Sequence, residues 1–124
     1  MAVKRIVANI NAKDPQALRS FYEALFGLEV VMDHGWILTF ASSEGASPQL
    51  SVASQGGSGT MVPQISIEVD NVDQVYDLAT AAGHEIVYHI VDEPWGVRRF
   101  YVRDPSGAII NVVQHITKAA FSDH

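Results

Sequence analysis

The chain has 124 residues, 48% of them hydrophobic, and a formal charge of −6, enough for one well-buried core and too little for two ordinary domains. No Lys/Arg cluster forms a basic stripe, the densest spot being "VRR" at 97–99, which argues against nucleic acid or an anionic membrane as partner. The absence of cysteine excludes disulfides, thiolate catalysis and Cys-ligated metals, "MAVKRIVANI" turns polar too soon for a signal peptide, and no apolar run approaches a membrane span, so a cytoplasmic protein is expected.

In chain order, a strand is expected near 5–11, followed by a helix near 15–26. Asp14 stands at its N-cap and Pro15 at its first helical position, Leu18, Phe21, Tyr22 and Leu25 make one apolar face, and Gly27 ends it. Strands near 29–33, 35–41 and 49–54 come next, then the Gly/Ser-rich "SQGGSGT" at 54–60. A strand near 63–69 leads to a second helix near 72–82. It begins at Asn71 with Gln74 at capping-box spacing, carries Val72, Val75, Tyr76 and Ala79 as its apolar stripe, and stops at Gly83. Strands near 85–91, 97–103 and 108–115 complete the chain, the last two joined by Asp104-Pro105-Ser106-Gly107, a sequence suited to a tight turn. Asn111 interrupts the apolar run "AIINVV", where an amide is depleted and costly to bury without partners.

The two halves read alike: strand, capped helix, glycine stop, three strands. With only two copies this is a duplicated βαβββ unit rather than a solenoid. The expected fold is α+β, one domain over 1–124, with modules 1–54 and 62–116 and a linker at 55–61. Each unit places a helix on one face of a curved four-stranded sheet. Two such sheets make an eight-stranded half-barrel enclosing a cleft, which we expect to be completed in a homodimer.

"FYEALFGLEV" (21–30), "ISIEVDNVDQVYDLATAAG" (65–83) and "WGVRRFYVRDPSGAIINVVQH" (95–115), with the duplicated order of elements, resemble the vicinal oxygen chelate superfamily of glyoxalase I, extradiol dioxygenases and bleomycin-resistance proteins. The resemblance implies a divalent metal held by His, Glu or Gln from the first and last strand of each unit. Those positions fall on Val7, Gln49, Gln64 and Asn111, which include neither imidazole nor carboxylate. Transition ions prefer imidazole with accessory carboxylate, so no metal and no cofactor is expected. Shifting the register by two residues gives Arg5 or Asn9, Ser51, Ser66, and Ile109 or Val113, no better a set. Glu68 shares parity with Gln64 but lies roughly 13 Å further along its strand.

His34, His84, His89 and His124 read as surface or strand-end residues, and His115, with the parity of Asn111, as a residue at the cleft rim. No carboxylate pair or nucleophile motif suggests a catalytic residue. The three amides instead read as hydrogen-bonding groups for a ligand, able to donate and accept. Trp36, Leu38 and Phe40 share one face of their strand and are expected to line the cleft, as are Arg99 and Tyr101, with Trp95 at its mouth. The groove suits a flat aromatic molecule held by stacking and hydrogen bonds. It resembles the drug-sequestering members of the superfamily, which bind bleomycin-, mitomycin- or enediyne-type products as dimers. The alternatives are a lyase, isomerase or dioxygenase with a non-standard metal site, or a metal-independent enzyme using Arg99 as electrophile and Tyr101 as acid.

Overall fold

The computed structural model describes residues 2–42 and 49–116. In order they form β1 (Val3–Asn11), a 3-10 turn (Pro15–Leu18) running into α1 (Arg19–Phe26), β2 (Glu29–Asp33), β3 (Ile37–Ala41), β4 (Gln49–Ala53), β5 (Ile65–Val69), α2 (Val72–Ala81), β6 (Ile86–Glu93), β7 (Val97–Arg103) and β8 (Ile109–His115). The class is α+β, and each half follows βαβββ order. His124 lies outside the described residues. None of the described helices is long and apolar enough to cross a membrane.

Two compact units emerge, one of Val7–Val62 and one of Met1–Ile6 with Pro63–His124. The break falls within β1, whose first residues belong to the unit made by the second half of the chain. In the first unit the strands run in the order β2-β3-β4-β1, with β1 and β4 parallel and the others antiparallel. In the second they run β5-β8-β7-β6 with the same parallel and antiparallel pairings. A helix between parallel neighbours is the usual crossover for such strands.

The helices start and stop for local reasons. Asn71 accepts the Gln74 N–H at 3.1 Å and caps α2 as its sequence implies. Asp14 does not cap. The chain opens with a 3-10 turn in which the Asp14 carbonyl takes the Ala17 N–H at 3.1 Å, and the Asp14 side chain makes no cap bond. Gly27 ends α1 at φ 66°, a left-handed conformation that other residues adopt at a cost.

In the first unit, Leu38, Phe40 and Val52 are wholly buried against Leu18, Tyr22, Leu28 and Val30, with the Tyr22 and Phe40 rings 5.2 Å apart. Leu38 and Phe40 were expected to line a cleft. They form the helix-packed core instead, because α1 needs large apolar partners on the face it covers, and burying each stabilises by about 1.5–3 kcal/mol. In the second unit α2 packs on Val69, Phe100 and Val112, with Tyr76 edge-on to Phe100 at 5.0 Å.

Candidate functional site

With the helix on one face of each unit, candidate polar chemistry lies on the other, and the strand register sets its rows. In the second unit Ser66 stands opposite Asn111, Asn111 opposite Tyr101, and Tyr101 opposite Tyr88. The next row runs Glu68, Val113, Arg99, and the one after it places His115 opposite Val97 and Val97 opposite Glu93. In the first unit the row matching Ser66–Asn111–Tyr101 is Asn9–Ser51–Thr39. Its centre is closed by a 2.7 Å bond between the Thr39 and Ser51 hydroxyls.

This register corrects one equivalence expected from sequence. The counterpart of Asn111 is Ser51, and Gln49, one residue before Leu50, corresponds to Ile109. Spacing alone misses this because the last strands of the two halves are offset differently from their first strands.

Asn111 is 8% exposed. Its Nδ2 donates to Ser66 Oγ at 3.0 Å, while its Oδ1 is buried with no hydrogen-bond partner among the described residues. A buried acceptor left open costs about 1–3 kcal/mol, so its presence calls for an explanation. Gln64 is exposed and already committed, its Oε1 accepting the Ile109 N–H at 2.7 Å. Gln49 opens β4, half-buried, beside Ala41.

Arg99 is the centre of a buried cluster in the second unit. Its Nε donates to Glu93 Oε2 at 2.7 Å with both side chains under 5% exposed. Its Nη1 donates to Tyr101 Oη at 3.0 Å, and Tyr88 Oη donates to the same Glu93 oxygen at 3.0 Å. The guanidinium lies 5.0–5.3 Å from the ring centres of Tyr88, Trp95 and Tyr101. Arg99 and Tyr101 take the face expected of them, but Tyr101 is wholly buried and Arg99 is 3% exposed. They bind one another and Glu93, which leaves them poor candidates for an electrophile and a free acid. Trp95 is half-buried as the lid of this box, and Trp36, half-buried just before β3, stacks on His34 at 6.0 Å.

Tyr88 and Glu93 were not visible as site residues in the sequence. Two register shifts in β6, between Ile86 and Tyr88 and between Tyr88 and Val91, break the two-residue alternation and turn Tyr88 to this face. Beyond the cluster, Glu68 Oε2 lies 3.0 Å from His115 Nδ1 and Glu68 Oε1 lies 2.9 Å from Arg5 Nε.

None of these rows suits a divalent transition metal. Val7 with Gln49, Gln64 with Ile109, Asn9 with Ser51, and Ser66 with Asn111 supply no imidazole or carboxylate. Glu68 is the carboxylate of the adjoining row, and it is engaged with Arg5 and His115. Among the described residues no three His, Cys, Asp or Glu side chains stand together as a metal would need.

The repeated βαβββ order, with polar rows on the sheet face away from each helix, defines a paired-module protein of the vicinal oxygen chelate type. The family model described as the Glyoxalase/Bleomycin resistance protein/Dioxygenase superfamily matches residues 3–112, and the chain belongs to that superfamily. Comparison with curated proteins gives no match. Among solved structures, the chain is similar to one described as an NAD-dependent benzaldehyde dehydrogenase from Legionella pneumophila, with TM-score 0.73 and 15% identity over 90% of this chain and 99% of that one. It is similar to methylmalonyl-CoA epimerase from Mycobacterium tuberculosis, with TM-score 0.64 and 17% identity over 96% and 91%. A superfamily member from Vibrio splendidus 12B01 gives TM-score 0.60 and 16% identity over 93% and 100%. At these identities the likeness is one of fold, which hosts several chemistries.

Proposed function

We propose that this chain is a small-molecule binding protein that holds a flat aromatic ligand by stacking and hydrogen bonds without a metal, and that it acts by sequestering a natural product of the bleomycin, mitomycin or enediyne kind. The observation that carries the reading is Asn111 Oδ1, a buried acceptor without a partner among the described residues. A ligand N–H or O–H would satisfy it, and the half-buried indole of Trp95 in the same unit adds an aromatic wall. Reversible binding needs no nucleophile or metal, which agrees with the donor set. A homodimer belongs to the same proposal. Phe21, Leu25 and Phe26 leave α1 more than half exposed, an apolar surface that a second copy would cover, and sedimentation would give the state.

Titrating a panel of such drugs while following the fluorescence of the two tryptophans tests the reading. Trp95→Ala and Asn111→Leu are each expected to weaken binding about tenfold, the equivalent of one ring contact or hydrogen bond, with the circular dichroism unchanged. Binding as tight as the parent's in both variants would refute it.

A further inference from the structure

His115 and Glu68 form an arrangement that ligand binding does not require. The His115 side chain is 54% exposed and that of Glu68 14% exposed, and they meet through Nδ1 and Oε2 at 3.0 Å. The second Glu68 oxygen lies 2.9 Å from Arg5 Nε, an ion pair outside hydrogen-bond alignment. An ionised carboxylate only accepts, so it holds the proton of neutral His115 on Nδ1 and leaves a bare lone pair on Nε2. Nε2 has no partner among the described residues, and the opposed residue on β7 is the apolar Val97. A largely covered carboxylate fixing the tautomer of an exposed imidazole, itself paired with an arginine, is how a general base is oriented. His89, by contrast, meets the phenol of Tyr76 at 2.8 Å.

We propose that His115 is a proton acceptor and Glu68 its positioning residue, forming a metal-independent proton-transfer site for a small molecule whose C–H is acidified by an adjoining carbonyl or heteroaromatic ring. Nε2 takes the proton, the C–H electron pair moves into that carbonyl or ring, and the imidazolium returns the proton to the resulting anion, at the same or another carbon. This goes beyond the binding reading, and the test separates the two.

The probe is 5-nitrobenzisoxazole, whose ring opening needs only a base. Nε2 removes the C3 proton, the C–H pair completes the nitrile, and the N–O pair leaves on the phenolate oxygen. The wild-type chain is expected to show saturable turnover faster than equimolar free imidazole. His115→Gln should lower kcat by about a hundredfold. Glu68→Gln should lower kcat by roughly tenfold with KM unchanged, and nitrogen NMR of His115 should show the Nδ1–H tautomer in the wild type and a mixture in Glu68→Gln. A wild-type rate no greater than that of free imidazole, an unaffected His115→Gln variant, or an Nε2–H tautomer in the wild type would overturn the proposal. Drug binding without such a rate would overturn this proposal and leave the binding reading standing.

Discussion

At 3% exposure the Arg99 guanidinium is paired with the Glu93 carboxylate and faced by three rings. Removing one member of such a pair leaves a charge in a low-dielectric site, which costs more than the pair contributes as a whole. Arg99→Ala should therefore lower the unfolding free energy by about 3–5 kcal/mol in urea titration. Asn111→Leu should behave in the opposite sense, leaving stability unchanged or raising it by about 1 kcal/mol, since it removes an open acceptor. A loss of several kcal/mol there would mark Asn111 as a structural amide. At this scale the sequence was readable where alternation held. The parity of Asn111, Arg99 and Tyr101 follows from an unbroken β7 and β8. The parity of Tyr88 does not, since two bulges intervene, and the Glu68 contacts join residues distant in the chain. Leu38 and Phe40 were misplaced because both faces of β3 are buried, through Thr39 as well, so hydrophobicity could not tell them apart.

The elements are pinned by their ends. Between β7 and β8, the Asp104 carboxylate accepts from Ser106 Oγ at 2.6 Å, Ser106 N at 2.8 Å and Ala108 N at 3.0 Å, and Gly107 closes the turn at φ 92°. The Ser106 hydroxyl bond, followed by the backbone N–H of Ala108, holds the Asp104 carboxyl below its ordinary range. A folded value below the unfolded one gives stability that is present above the ordinary carboxylate range and is lost as pH falls through the depressed value. Asp104→Asn should thus be less stable than the parent at neutral pH, with the gap narrowing on acidification, as thermal unfolding at a series of pH values would show. A gap independent of pH would contradict it. This turn was fully legible, since its residues act on their own neighbours. The start of α1 was not: Asp14 and Pro15 have the composition of a capped helix, and the 3-10 turn won, with the backbone carbonyl of Asp14 taking the bond.

For the molecule as a whole, duplication was the strongest signal in the sequence, because capping residues and glycine stops recur in order, and it led to the superfamily to which the chain belongs. Register within each unit was less legible. A one-pair offset changes no composition, and it made Gln49 stand where Ser51 belongs. The chemistry survives that correction, since Asn9 with Ser51 and Ser66 with Asn111 supply amides and hydroxyls in place of imidazole or carboxylate. The decisive measurement is calorimetric titration of one aromatic ligand from the panel into parent protein, EDTA-dialysed protein and Asn111→Leu. Equal Kd is expected for the first two and about tenfold weaker binding for the third. Binding abolished by EDTA and restored by a divalent ion, with Asn111→Leu unaffected, would contradict it.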